Sequence, residues 1–311
     1  MQAQAIVFQA PQHLLVRALD LPSLGAGDIQ VDVEYSGIST GTERLLWDGT
    51  MPAFPGMGYP LVPGYESVGR VVGKGADVDL PIGARVFVPG AQCFTGVHNL
   101  FGGSASHLVV ARSRTVAVQE SLGAEAVLMA LAATAQHALA GGAPPDLIIG
   151  HGVMGRLLAR LTLAAGHAAP TVWELNPARK TGAEGYIVCN PDDDARRNYR
   201  SIYDVSGDSN ILDKAIARQA PGGEVVLAGF YKQSLSFAFA PAFMRETRIR
   251  IAAQWKPEDL STVAALAHTG QLALSGLITH TELPANAEAA YQTAFGDADC
   301  LKMILDWKHS A

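Results

Sequence analysis

The first 120 residues alternate short apolar runs with glycine and proline, a pattern typical of β-strands joined by tight turns. Segments with the β-branched, partly alternating composition of strands cover residues 5–8, 29–35, 67–73, 84–89 and 107–110. We therefore predict a mainly β domain for this part of the chain.

The pattern changes near residue 120. Alanine and leucine dominate residues 125–139 and predict a helix, after which predicted strands alternate with polar or helical stretches. A helix is predicted over 155–165, and strands over 147–149, 171–174, 186–188, 202–205 and 223–228. This alternation predicts a parallel, doubly wound sheet. Residues 176–185 are too few for a full crossover helix, so we predict a turn there.

After residue 230 the pattern returns to mixed strands with one predicted helix over 257–268. The predicted fold class is therefore α/β, with a Rossmann-type doubly wound parallel sheet inserted in a mainly β domain. We expect residues 1–120 to form the first part of the β domain, 121–255 the inserted domain, and 256–311 the return to the β domain.

Composition limits the classes of partner. The 311 residues are 49% apolar, enough for one or two packed cores, and a net charge of −6 argues against nucleic acid or an anionic membrane as the main partner. We find neither a signal peptide pattern nor an apolar run of transmembrane length, so no transmembrane segment is expected. Three cysteines without paired spacing suit a reducing compartment, so a cytoplasmic location is expected.

The turn Gly150-His-Gly152-Val153-Met154-Gly155 follows an apolar strand directly and opens a helix. In that context G-x-G-x-x-G indicates a dinucleotide site. Gly150 permits the tight turn, Gly152 lets the backbone approach a diphosphate, and Gly155 lets the helix pack close to the strand. The diphosphate would lie on the free N–H groups at the start of the helix, where Val153 and Met154 stand. The alternative is an ordinary glycine turn.

Glu174 ends the second strand of this unit, about twenty residues past the glycines, where a carboxylate can bind both ribose hydroxyls and repel a 2′-phosphate. NAD is therefore favoured over NADP as cofactor. Arg179 and Lys180 follow closely and weaken that preference without reversing it. Ser206 and Gly229 follow two later strands, at the edge where the nicotinamide half would lie.

Beyond these motifs, the order of pieces resembles the medium-chain dehydrogenase/reductase superfamily over nearly the whole chain. The stretches that show the resemblance are Gly37-Ile-Ser-Thr-Gly-Thr-Glu43, Pro63-Gly-Tyr-Glu-Ser-Val-Gly69, Gly83-Ala-Arg-Val-Phe87, Gly102-Gly-Ser-Ala-Ser-His107 and Pro221-Gly-Gly-Glu-Val-Val-Leu-Ala-Gly229. The resemblance implies a GroES-like catalytic domain around an NAD-binding domain. Members are often dimers, which leaves a homodimer open.

Within the superfamily the chain resembles the dehydrogenases of bacteriochlorophyll synthesis, through residues 39–50, 54–66, 86–94 and 242–246. That resemblance implies a tetrapyrrole substrate. The implied reaction is NAD-linked oxidation of the 3-(1-hydroxyethyl) group of a bacteriochlorophyllide to acetyl. Two other functions stay open: a zinc-free quinone or enone reductase, and a protein that binds nucleotide or pigment without turnover.

The resemblance also shows where a catalytic zinc would be held. The positions of its three ligands fall on Thr40, Tyr65 and near Ala130, which offer no thiolate, imidazole or carboxylate. The lobe over 89–102 contains only Cys93, too few cysteines for a structural zinc. No metal site is therefore expected, and any magnesium would arrive within the substrate.

Without a Lewis acid, we expect hydroxyl and carboxyl groups to handle the alcohol. By resemblance Thr42 begins a proton relay, with Thr40 beside it. Tyr65 could hydrogen-bond the substrate oxygen, and it could act as a base only if its pKa fell from about 10. Glu43 and Glu66 are candidates to orient the alcohol or accept its proton.

Structural alternatives exist for each candidate. Tyr65 could fill the space of a lost imidazole, the two threonines could cap the local backbone, and the two glutamates could pair with an arginine such as Arg44. Leu45 stands where zinc members often carry a histidine, so the relay looks incomplete.

An aromatic-rich loop could cover a flat apolar ring or simply pack in the core. It contains Trp47, Phe54, Met57 and Tyr59. Three histidines match no catalytic position of the superfamily, and we interpret them as structural: His98, His107 and His137.

Overall fold

A computed structural model describes residues 1–52 and 55–309, and the chain divides into two compact units. The first unit comprises Met1–Ala130 and Leu277–Ala311, and the second comprises Leu131–Gly276. The predicted α/β class is confirmed.

The strands in the described residues are β1 Gln2–Ala10, β2 His13–Asp20, β3 Asp28–Ile38, β4 Leu61–Val62, β5 Ser67–Lys74, β6 Arg85–Val88, β7 His98–Asn99, β8 His107–Ala111, β9 Val116–Ala117, β10 Leu147–Ile149, β11 Thr171–Trp173, β12 Ile187–Cys189, β13 Tyr199–Asp204, β14 Gln219–Leu227, β15 Arg248–Ile251, β16 His280–Glu282 and β17 Met303–Asp306. The α-helices are α1 Thr42–Asp48, α2 Met129–Ala140, α3 Val153–Ala164, α4 Ile211–Arg218, α5 Phe239–Met244, α6 Pro257–His268 and α7 Ala287–Gly296.

The predicted boundaries at residues 120 and 255 differ from the observed ones, which fall after 130 and after 276. A 3₁₀ segment, Glu120–Leu128, belongs to the first unit, where Arg85 donates a hydrogen bond to the carbonyl of Gly123. Helix α6 belongs to the second unit, because Asp259 on α6 accepts a 2.8 Å hydrogen bond from Nδ1 of His137 on α2. Neither long-range contact can be deduced from local sequence pattern.

The first unit is mainly β. Its larger sheet has the order β16-β17-β3-β5-β6-β9, with β8 also paired to β3, and its smaller sheet has the order β2-β1-β4-β7. Most of these pairs are antiparallel, and the buried apolar side chains of β1, β3 and β6 lie in one core. The predicted alternation holds only in part, because residues 5–8 of β1 and all four residues of β6 are buried on both faces.

The second unit contains a six-stranded parallel sheet in the order β12-β11-β10-β13-β14-β15. Register pairs Ile149 with both Trp173 and Asp204, and Asp204 in turn with Leu227. The carboxyl ends of these strands therefore share one edge, which is the expected ligand edge of a doubly wound sheet. The segment between β11 and β12 contains only the 3₁₀ turn Pro177–Arg179, so the prediction of a turn is confirmed.

The predicted helix over 125–139 is in fact the 3₁₀ segment followed by α2, and Gly123 adopts a positive φ of 47° at the kink. The stretch Glu120–Ala140 is long and apolar enough to cross a membrane by length and composition, contrary to our expectation from the sequence. More than half of it is buried inside the protein, as is common for a core helix. Helices α1, α4, α5 and α7 were not predicted.

A buried ion pair joins three strands of the first unit. Glu66 immediately precedes β5, Lys302 immediately precedes β17, and their side chains pair beside Gly37 on β3. The two side chains are 0% and 2% exposed. A Cβ at position 37 would lie 2.1 Å from Oε2 of Glu66, so only glycine leaves room for the carboxylate. Charges this deep are tolerated only as a pair.

We predict that Lys302→Met lowers the free energy of unfolding by about 3–5 kcal/mol, because it leaves the Glu66 carboxylate buried without its partner. Urea unfolding followed by circular dichroism measures the change. The double variant Glu66→Gln/Lys302→Met should recover much of the loss.

The matched control is Arg44→Met, which breaks a 3.9 Å pair with Asp48 whose arginine side chain is 47% exposed. It should change the unfolding free energy by no more than about 0.5 kcal/mol. Equal costs for Lys302→Met and Arg44→Met would show that the buried pair does not stabilise the strands.

Candidate active site and cofactor turn

Three hydroxyl groups come together where β3 ends and α1 begins. The Tyr65 hydroxyl lies 2.7 Å from Oγ of Ser39, and Thr42, on the first turn of α1, also hydrogen-bonds Tyr65. Strand β3 ends at Ile38, so the link to α1 turns both residues toward Tyr65, which lies between β4 and β5. The arrangement forms a hydroxyl cluster in the first unit, defined by Ser39, Thr42 and Tyr65.

The protein raises the pKa of Tyr65 above its ordinary value of 10.0. Burial is the larger cause, the nearby Glu66 carboxylate adds to it, and the hydrogen bonds from Ser39 and Thr42 oppose it. A base would need the opposite shift. Within this unit Tyr65 is therefore a neutral hydroxyl, able to donate or accept a hydrogen bond.

Glu43 is 1% exposed on α1 and accepts a 2.8 Å hydrogen bond from the hydroxyl of Tyr291 on α7. Its other oxygen lies 3.4 Å from the backbone nitrogen of Ser39. Burial raises the pKa of Glu43 to about 8, with the Tyr291 bond opposing the shift. At neutral pH this side chain is mostly a protonated acid. Burial also raises the pKa of Glu66, and Lys302 opposes that shift.

The structure overturns two of the alternatives for these residues. The N-cap of α1 is Gly41 and no side chain caps it, so neither Thr40 nor Thr42 is a helix cap. The two glutamates pair with Lys302 and Tyr291, whereas Arg44 pairs with Asp48. Thr40 is exposed, and Leu45 is 2% exposed in the core.

Core packing, the alternative for the aromatic loop, applies to its described members. Trp47 is 8% exposed and stacks on Tyr291 with ring centroids 6.0 Å apart. Met57 and Tyr59 pack against the same core, and the Tyr59 hydroxyl donates to the carbonyl of Leu46. Phe54 lies outside the described residues.

The donor set at the zinc positions does not fit zinc. Tyr65 is held by hydroxyls, Thr40 is exposed, and Ala130 has no ligand atom. Among residues 1–52 and 55–309, no group of three or more His, Cys, Asp or Glu side chains could hold a metal ion.

The glycine turn in the second unit fits a dinucleotide. Gly150 has a φ of 104°. A Cβ at position 155 would lie 1.8 Å from the carbonyl oxygen of Gly150, so α3 starts in close contact with the end of β10. A Cβ at position 152 would meet no protein atom within 4 Å. The open space beside Gly152 and the start of α3 at Val153, followed by Met154, are what a diphosphate at a helix N-terminus requires.

Glu174 lies directly against this turn. Its Oε2 accepts a 3.0 Å hydrogen bond from the backbone N–H of His151, and its Oε1 accepts a 2.8 Å bond from that of Asn176. Each carboxylate oxygen has two acceptor positions, so each retains one. The backbone carbonyl of Arg179 lies nearby, 2.6 Å from Nδ1 of His151.

At the opposite half of the same edge, Asp204 ends β13 and is 0% exposed. It accepts hydrogen bonds from Ser206, at 2.7 Å from Oγ, and from Tyr231, at 2.6 Å. Gly229 is so close that a Cβ there would lie 3.3 Å from the Tyr231 hydroxyl. The two predicted residues, Ser206 and Gly229, thus lie around one buried carboxyl group.

Six residues of these networks were not predicted: Ser39, His151, Asp204, Tyr231, Tyr291 and Lys302. Lys302 is a single cation within an apolar run, a pattern that indicates a buried charge paired with an opposite charge. Ser39 directly precedes the predicted threonines, and His151 is the one ionisable residue inside the glycine turn. Tyr291 gives no local signal, because its partner is 248 positions away.

Comparison with known proteins agrees with this geometry. The model of the alcohol dehydrogenase GroES-like domain matches residues 25–121. The chain is 57% identical to the 2-desacetyl-2-hydroxyethyl bacteriochlorophyllide A dehydrogenase of Rhodobacter capsulatus, with 99% of both chains covered. It is 52% identical to the protein of the same name from Cereibacter sphaeroides, with 100% of both covered.

Solved structures show the same fold at low identity. The 2R,3R-butanediol dehydrogenase of Bacillus subtilis has a TM-score of 0.84 at 19% identity, covering 98% of this chain and 99% of that one. An Escherichia coli alcohol dehydrogenase complexed with NADH has a TM-score of 0.83 at 20% identity, and a Sinorhizobium meliloti dehydrogenase bound to NADP has 0.82 at 20%. Both comparisons cover 98% of this chain and 99% of the other.

The expected resemblance is confirmed over the full length: the chain belongs to the medium-chain alcohol dehydrogenases, in the family of the two bacteriochlorophyllide dehydrogenases, and is an oxidoreductase acting on CH–OH groups.

Proposed function

We propose that the protein oxidises the 3-(1-hydroxyethyl) group of a bacteriochlorophyllide to a 3-acetyl group, with NAD⁺ as oxidant and without zinc. The choice of NAD⁺ as cofactor rests on one observation, that the Glu174 carboxylate accepts a hydrogen bond from the N–H of His151 at the glycine turn. The names of the relatives that are 57% and 52% identical support the substrate half. Bound NAD⁺ would accept hydride from the carbinol carbon.

Electrostatics favour NAD over NADP at this turn. The free acceptor position on each Glu174 oxygen suits a ribose hydroxyl, whereas a 2′-phosphate would be repelled by the carboxylate. The solved neighbours include one with NADH and one with NADP, so the fold itself does not select the nucleotide.

The hydroxyl cluster is our candidate for holding the alcohol. Tyr65, with a raised pKa, donates a hydrogen bond to the substrate oxygen and keeps its proton, while Ser39 and Thr42 fix its direction. In this proposal Glu43 is not the proton acceptor at neutral pH, since its pKa of about 8 leaves it mostly protonated. The alcohol proton would therefore be released to water rather than to Tyr65 or Glu43.

The absence of zinc ligands at positions 40, 65 and 130 requires another source of transition-state stabilisation. The proposed carbinol carbon is attached to a conjugated macrocycle, so it resembles a benzylic carbon. Positive charge that develops as hydride departs is delocalised into the ring. The substrate would thus supply part of what a Lewis acid supplies in zinc members.

The first test measures NAD⁺ reduction with the hydroxyethyl pigment, beside NADPH oxidation with quinones. We expect turnover only in the first assay, and equal rates before and after dialysis against a chelator. Glu174→Ala should raise the KM for NAD⁺ about tenfold and narrow its preference over NADP⁺. Quinone reduction with NADPH, or pigment binding without NADH formation, would overturn the proposal.

The second test is Tyr65→Phe. Loss of the hydroxyl should lower kcat with the pigment about a hundredfold while the KM for NAD⁺ stays unchanged, because the donor acts on the reacting oxygen. Tyr35→Phe, which removes a hydroxyl from β3 outside the cluster, is the matched control and should leave both unchanged. If turnover of Tyr65→Phe stays within a few-fold, Tyr65 only fills space.

The third test concerns the proton on Glu43. Its pKa in the folded protein is about 8, above the 4.5 of the free side chain, so the folded state binds more protons between these values and loses stability as pH rises through them. Glu43→Gln cannot ionise. Urea unfolding at pH 5 and pH 8 should therefore show the variant gaining stability relative to the parent protein at the higher pH. A difference that does not vary with pH would contradict the shift.

A further inference from the structure

The segment between β11 and β12 lacks the helix that usually joins parallel strands. Residues 174–186 contain one 3₁₀ turn, Pro177–Arg179, and carry Glu174 at one end and Tyr186 at the other. A parallel crossover is ordinarily held against the sheet by the apolar face of its helix. Here polar side chains hold the segment instead.

The side chain of His151, the second residue of the glycine turn, connects the turn to this segment. It is 0% exposed, with Nδ1 2.6 Å from the carbonyl oxygen of Arg179 and Nε2 2.8 Å from the hydroxyl of Tyr186. A carbonyl can only accept, so Nδ1 carries the proton and Nε2 accepts from Tyr186. Burial lowers the pKa of His151 to about 4, which keeps the ring neutral and both bonds intact at neutral pH.

Arg156, on the first turns of α3, reinforces the same connection. Its Nε donates to the carbonyl of His151 and its Nη2 to the carbonyl of Arg179, both at 3.1 Å. The guanidinium is almost fully enclosed, since the residue is 5% exposed. The Arg179 carbonyl thus receives one donor from the turn and one from α3.

The backbone N–H of His151 binds Glu174 while its ring binds the far part of the segment. We infer that His151 is a positioning residue for the cofactor: by joining the glycine turn to residues 174–186, it fixes the Glu174 carboxylate where the adenosine ribose binds. This inference rests on the proposed use of a nicotinamide dinucleotide. We call His151, Tyr186 and the Arg179 carbonyl the His151 bridge. In this inference the bridge contributes to the affinity for the adenosine half of the cofactor and does not take part in the hydride step.

The test uses ADP-ribose, which offers the adenosine half without the nicotinamide, and NADH. His151→Phe keeps a ring and removes both bonds. Calorimetry should show the Kd for both ligands rising about tenfold, by the same factor, while kcat at saturating NAD⁺ changes by less than about twofold. In the protein without cofactor, backbone hydrogen exchange over residues 174–186 should become faster.

His137→Phe is the matched control, because it removes a histidine that bridges two elements of the same unit, at 2.8 Å from Asp259, without contact to the glycine turn. It should lower stability and leave both Kd values within about twofold. His151→Asn keeps a donor near the Arg179 carbonyl and should recover part of the lost affinity.

Tyr186→Phe removes only one hydroxyl and serves where His151→Phe fails to fold. It should raise the Kd for ADP-ribose about threefold and speed exchange in the same segment. Unchanged binding and exchange in Tyr186→Phe or His151→Phe, or an equal loss in His137→Phe, would overturn the inference. Failure of the unaltered protein to bind either ligand would instead overturn the proposed function.

Discussion

The cofactor half of the molecule depends on the close approach of Gly155 to the carbonyl of Gly150, a distance that no Cβ could share. This contact lets α3 begin just after β10, with the N–H groups of the turn between the two elements. The N–H of His151 donates to Glu174, so the carboxylate that we propose binds the ribose is fixed by the backbone of the turn that would carry the diphosphate. A side chain at position 155 would disturb both at once.

The first unit depends on a different rule, that buried polar groups must be matched. Glu66 is matched by Lys302, Glu43 by Tyr291, and Tyr65 by Ser39. At neutral pH Glu43 holds its proton and Tyr65 is neutral, while Glu66 and Lys302 face each other as a buried ion pair. The cluster therefore offers oriented dipoles rather than a net positive charge. Such a site suits an alcohol in which the positive charge that develops on the carbinol carbon is delocalised into a conjugated ring of the substrate itself.

Local pattern predicted much of the fold and the position of the glycine turn beside Glu174. Strand and helix periodicity located the β10–α3 turn, Glu174 and α6, since each depends on neighbours within about twenty residues. The partners of the two glutamates could not be predicted, because register across β3, β5 and β17 brings them together. Residues 36–39 meet residues 65–67 and 302–303 only in the folded sheet. The direction of the shift in the pKa of Tyr65 could not be predicted either, because the shift depends on burial rather than on residue type.

Both units use directional hydrogen bonds at the places that the proposed function depends on. In the second unit the His151 bridge holds the segment that has no crossover helix, and in the first unit the hydroxyl cluster contains Tyr65, one of the positions where the family resemblance places a zinc ligand. Apolar packing tolerates small shifts of a side chain because its energy is the sum of many weak contacts. A buried hydrogen bond does not, because losing one partner leaves the other desolvated and unpaired. Geometry at these two places is therefore set by a few side chains each, and that makes their replacement informative about function rather than about packing alone.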